Sequence, residues 1–105
     1  MLVENTSIPM TDEKMTTIKR EHEIVNEKGL HARASAKFVE TVDMYEADAD
    51  VWHNDMHATG DSIMSLLMLA ASYGTRIIIE TKGAQATELA DALEDLIADR
   101  FGEEC

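Results

Sequence analysis

The chain has 105 residues, with 9 basic side chains against 21 acidic ones for a formal net charge of −12, and 45% of its residues are hydrophobic. That length fits one domain; the charge excludes partners that demand clustered Lys and Arg, above all nucleic acid and anionic membrane surfaces, and the apolar content excludes an acidic disordered chain. The single thiol, Cys105, excludes an internal disulfide framework, and the N-terminal stretch carries Glu4, Asp12 and Glu13 with no long apolar run, so neither a signal peptide nor a membrane span is expected and the expected compartment is the cytoplasm.

Residues 1–15, which hold the only proline, Pro9, keep no sustained period of 2 or 3.6 and read as a flexible N-terminal tail. A domain over 16–102 and a frayed C-terminus at 103–105 complete the division. Thr16 to Val25 reads as a strand with Ile18, Arg20, His22 and Ile24 on one face, and Asn26 to Gly29 breaks it. Beyond Gly29 the period changes: Leu30, Ala34, Phe38 and Val42 fall at steps of four with Val39 beside them, the apolar stripe of a helix. Ala47, Ala49 and Val51 then alternate with Asp48, Asp50 and Trp52, a strand with one buried face. The Asn54-Asp55 turn returns Met56 to Thr59 antiparallel to it.

Ser62 opens a second helix whose apolar face is Ile63, Leu66, Leu67 and Ala70, with Gly74 as its C-cap. Three consecutive isoleucines make Thr75 to Thr81 a buried strand. The last run, about Gln85 to Phe101, is an amphipathic helix with Leu89, Leu93, Leu96 and Ile97 on its apolar side. The order βαββαβα describes an α+β domain, and a single sheet with helices on one face buries all of these stripes.

Gly29-Leu30-His31-Ala32-Arg33 places a histidine where a loop becomes a helix. The partial positive charge there favours the neutral, nucleophilic imidazole. The free N–H groups of the first turn could also receive an anion carried by the ring, and Arg33 could add a guanidinium to it. These residues describe a histidine able to hold a phosphoryl group, although on these five residues alone a capping histidine beside a surface arginine is the simpler reading. Ser62 is explained by ordinary N-capping, and a phosphate there would chiefly alter surface charge beside Asp61. The run Ile63 to Leu69 is apolar on almost every side, which suits either a helix set in a crevice or a partner-binding patch. His22 reads as a core or edge residue, and His53 and His57 flank a turn without a ligand set that completes a metal site. No cofactor is implied.

Two separated motifs, 31 residues apart from His31 to Ser62, make the chain resemble the histidine-containing phosphocarrier protein (HPr) family of the phosphoenolpyruvate-dependent phosphotransferase system. The resemblance spans about residues 17 to 101. It implies an open-faced β-sandwich, a four-stranded antiparallel sheet with three helices on one face. It further implies that His31 takes a phosphoryl group on Nδ1 from enzyme I and hands it to an enzyme IIA-type acceptor, with Arg33 stabilising that group. By the same resemblance Ser62 matches a serine that an HPr kinase/phosphorylase modifies in many relatives, and Ile63, Met64 and Leu67 match the apolar partner-binding surface. The expected carrier is a monomer and not an enzyme with its own substrate pocket. Ala34 stands where the family commonly has proline, and Glu40, Asp43 and Asp61 stand where many relatives carry basic surface. The alternatives are a regulatory protein controlled through Ser62 in carbon or nitrogen regulation, and a ligand-sensing domain of ferredoxin-like type.

Overall fold

The computed structural model describes residues 16–105; the expected tail at 1–15 lies outside them. The elements are β1 (Thr17–Glu23), α1 (Ala32–Asp43), β2 (Asp48–His53), β3 (Met56–Thr59), α2 (Ile63–Met68), β4 (Arg76–Lys82) and α3 (Ala86–Ala98), closed by a short left-handed turn at Arg100–Gly102. All four strands are antiparallel in the order β1-β4-β2-β3. Ile79 of β4 sits opposite both Arg20 of β1 and Val51 of β2. The register turns Ile77, Ile79 and Thr81 toward the helices together with Ala49 and Val51, and all five are buried. Lys19, Trp52 and Ile78 lie on the other, open face, where the Lys19 ammonium stands 5.8 Å from the Trp52 ring centre.

The helix stripes close the core over that sheet. Ala34, Phe38 and Val42 of α1 and Leu89, Leu93 and Ile97 of α3 are buried as their spacing predicts. Ala34, where the resemblance implies a proline, is fully buried and the helix forms without one. Arg20 pins α3 to β1, donating to Asp91 at 2.9 Å and Glu94 at 2.7 Å. His22 sits half-buried on the same face, and that burial, with Arg20 nearby, outweighs the pull of Glu94 and holds its imidazole below the usual range.

The second helix departs from its predicted stripe. It spans only Ile63–Met68, and of the expected face Leu66 alone is buried. The inward residues that follow, Leu69 and Ala71, belong to an irregular turn in which Ala70 takes φ 52°. A C-cap at Gly74 is therefore not what ends the helix. The chain is pulled inward at Leu69 and Ala71 because their carbonyls are used elsewhere, by His53 Nδ1 at 2.9 Å and by the Leu30 N–H at 2.9 Å.

Candidate functional site

His31 is the N-cap of α1, in extended backbone at φ −82° and ψ −173°, and no side chain caps that helix. The N–H groups of the first turn therefore lack intrahelical partners and carry the positive end of the helix dipole. The loop before it fixes the ring's place. Gly29, at φ +69°, approaches the loop after α2 so closely that a Cβ would lie 2.5 Å from the Ala71 carbonyl oxygen. Asn26, fully buried, braces the loop from inside by donating through Nδ2 to the Gly29 carbonyl at 2.8 Å.

The partner of the imidazole comes from the far end of the chain. His31 Nε2 is hydrogen-bonded to Glu103 Oε2, and Asn26 Nδ2 also donates to Glu103 Oε1 at 3.1 Å. The His31 side chain is 27% exposed and that of Glu103 13%. Residues 103–105, expected to fray, are tied down: Phe101 is fully buried, Lys37 Nζ donates to its carbonyl at 2.6 Å, and the Glu27 N–H donates to the Cys105 carbonyl at 2.7 Å. Burial pushes the Glu103 carboxyl up, but hydrogen bonds from His31 and Asn26, with the charges of His31 and Lys28, outweigh it and hold the carboxyl below its ordinary range.

A folded-state value below the unfolded 4.5 means that Glu103 adds stability above about that pH and loses it below, as the folded carboxyl takes up its proton. Thermal unfolding of the wild type and Glu103→Gln against pH checks this. A stability gap above pH 4.5 that closes on acidification is expected; a gap constant down to strong acid would contradict it.

Arg33 is exposed on the first turn of α1 and lines an open depression with Lys28, Lys37, Glu27, Glu103 and Glu104. That depression thus sets three cations against three acidic side chains, a more even balance than the chain's net charge of −12. Glu40 and Asp43 are exposed on α1, but at 1.5 Å of rise per residue they stand roughly 10 and 15 Å beyond Arg33 along the helix. Asp61 is the acid beside the second motif.

Ser62 caps α2, its hydroxyl accepting the Ser65 N–H at 3.1 Å. Ile63 is 40% and Met64 69% exposed and Leu67 is half-buried; Met68 and Tyr73 are exposed as well. The turn after α2 meets the His31 loop through Ala71 and Leu30, so the two motifs are brought into one neighbourhood. His53 and His57 are separated instead: His53 bonds to the Leu69 carbonyl, and His57, tilted against Trp52, bonds to Asp50 Oδ1 at 2.8 Å.

Sequence reading missed Asn26, Lys28, Lys37 and Glu103. The legible signal was Phe101-Gly102 beyond the last helix: an aromatic side chain after a helix end implies that the chain continues to pack.

The chain is a small open-faced sandwich with a partly exposed histidine at a helix N-terminus and exposed apolar side chains on the next helix, and comparison with known proteins gives its class. The family model described as the PTS HPr component phosphorylation site matches residues 18–99. The phosphocarrier protein HPr of Neisseria meningitidis serogroup A is 49% identical over 86 residues, 82% of this chain and 97% of that protein. The phosphocarrier protein NPr of Shewanella violacea is 33% identical over 89 residues, covering 85% and 98%. The crystal structure of HPr-C-His from Thermoanaerobacter tengcongensis superposes with a TM-score of 0.79 at 34% identity, over 84% of this chain and 99% of that one. The chain belongs to the HPr family, phosphocarrier proteins of the phosphotransferase system. Among the described residues no helix is long and apolar enough to cross a membrane.

Proposed function

We propose that His31 accepts a phosphoryl group on Nδ1 from enzyme I, charged by phosphoenolpyruvate, and passes it to an enzyme IIA-type acceptor. The observation that carries this reading is the ring itself: it is partly exposed at the N-terminus of α1, with Nε2 engaged by Glu103 and Nδ1 without a hydrogen-bond partner among the described residues. Arg33 supplies a guanidinium to the bound phosphoryl group, and the first-turn N–H groups add donors. Ile63, Met64 and Leu67 are the surface on which the partners dock. A convex site suits the task, because in-line geometry is set by each partner in turn and not by a pocket of the carrier. The carrier is read as a cytoplasmic monomer.

Incubation with phosphoenolpyruvate and enzyme I is expected to place one acid-labile phosphate on the protein. His31→Ala should abolish it, and label that survives this substitution overturns the reading. Arg33→Ala should slow acceptance about tenfold or more, the loss of one charge-assisted contact worth about 1.5–3 kcal/mol.

Ser62 supports a second, compatible reading. Its capping hydroxyl adjoins the exposed Ile63 and Met64, so a phosphate there would place negative charge on the docking surface and weaken docking. Phosphoserine is acid-stable, and a kinase-dependent, acid-stable label lost in Ser62→Ala identifies it.

A further inference from the structure

The C-terminal strap reaches His31 by construction. Arg100, Phe101 and Gly102 take left-handed backbone in succession, at φ 57°, 55° and 78°, and this reverses the chain after α3. Buried Phe101 anchors the reversal. The strap then delivers a carboxylate whose two oxygens have separate partners, Asn26 Nδ2 on Oε1 and His31 Nε2 on Oε2. Asn26 cannot turn freely, since the same Nδ2 also holds the Gly29 carbonyl.

Resting on the reading of His31 as the phosphoryl acceptor, we propose that Glu103 is a positioning residue that keeps the proton on His31 Nε2 through both halves of the transfer. An ionised carboxylate only accepts hydrogen bonds, so the ring nitrogen facing it is the donor. In the neutral imidazole that leaves the lone pair on Nδ1. Nδ1 attacks phosphorus, the Nδ1–P bond forms, and the donor's bond to phosphorus breaks with its electron pair leaving on the donor group. The ring now bears phosphate on Nδ1 and hydrogen on Nε2, and its positive charge faces the Glu103 carboxylate. In the second half the acceptor's nucleophile bonds to phosphorus and the Nδ1–P pair returns to Nδ1. The ring is neutral again, still with its Nε2 hydrogen, and no proton has moved on the carrier. A ring stripped of that hydrogen would have to leave as imidazolate, a much poorer leaving group.

The arrangement makes Glu103→Gln a sharper probe than a deletion. With Asn26 donating to the glutamine oxygen, the glutamine NH₂ would face Nε2 as a donor, and Nε2 could only accept. The neutral ring would then carry its hydrogen on Nδ1, the nitrogen that must attack.

The test is ¹⁵N NMR of the full-length protein at a pH where the His31 ring is neutral, paired with the rate of labelling by phosphoenolpyruvate and enzyme I. The wild type is expected to hold the Nε2–H tautomer. Glu103→Ala should give a mixture, and Glu103→Gln should favour Nδ1–H and label about tenfold or more slowly, the loss typical of removing an orienting partner of a histidine. A strap with only a structural role would leave the tautomer unchanged, and wild-type tautomer populations in both variants overturn the proposal even if His31 is labelled normally. Absence of acid-labile label in the wild type would overturn the carrier reading instead, with the tautomer spectra still deciding what Glu103 does.

Discussion

Phe101→Ala is expected to destabilise the protein by about 3–5 kcal/mol, the usual cost of emptying a phenylalanine site in a core. The side chain is fully buried, yet it lies beyond the last helix, in a backbone conformation that a non-glycine residue adopts only when something holds it. Burial is what holds it here, aided by the Lys37 bond to its carbonyl. Against a total stability of roughly 5–15 kcal/mol the loss is large, and for a domain of this size each kcal/mol shifts Tm by about 4–8 °C. Thermal denaturation should therefore show a fall of well over ~10 °C. Phe101→Leu keeps most of the apolar volume and should recover the greater part of it. A loss below ~1 kcal/mol for the alanine variant would mean that the strap is not anchored by this ring. The functional consequence follows from the covalent order: Glu103 is two residues further on, so releasing Phe101 frees the carboxylate from His31.

That dependence explains why the fold was more legible in the sequence than the site. Most elements declare themselves through periods that are local and redundant. The steps of four from Leu30 to Val42 and the alternation around Val51 each assign a face, and the sheet and stripes then leave little choice of layer. The second helix was harder, because its apolar residues are not all buried: Ile63 and Met64 face outward, and a stripe read on the assumption of burial takes in the wrong members. The placement of His31 and Arg33 at a helix start was legible because a helix start is a local event. Glu103 was not, since its role depends on a reversal through Arg100 and Phe101, neither of which is a residue expected in left-handed backbone, and on a contact 72 positions away in sequence. It also lies past residue 99, where the family match ends. The net charge of −12 gave the same lesson about distribution: the depression beside the strap sets Lys28, Arg33 and Lys37 against Glu27, Glu103 and Glu104, a balance that no total reports.

Gly29→Ala is expected to damage stability and phosphoryl acceptance together, and Gly74→Ala supplies its control. Both glycines have positive φ, +69° and +85°, so each alanine incurs about 1–2 kcal/mol for left-handed backbone. At Gly74 a new Cβ meets nothing within 4 Å, and the cost should stop there. At Gly29 it would lie 2.5 Å from the Ala71 carbonyl oxygen and 2.9 Å from Ser72 Cα. Both are backbone atoms, which cannot swing aside as a side chain would, so the loop itself must move, adding an overpacking cost of about 1–3 kcal/mol. That movement strains the Leu30 bond to Ala71 and the Asn26 bond to the Gly29 carbonyl. Asn26 is also the group that holds Glu103 Oε1. The displacement therefore reaches the carboxylate and the ring by a chain of direct contacts. Chemical denaturation should place Gly29→Ala below Gly74→Ala by about the overpacking term, and labelling by phosphoenolpyruvate and enzyme I should slow only in Gly29→Ala. Equal losses in the two variants would show that the loop yields without cost and that its close approach to Ala71 does not set the position of His31.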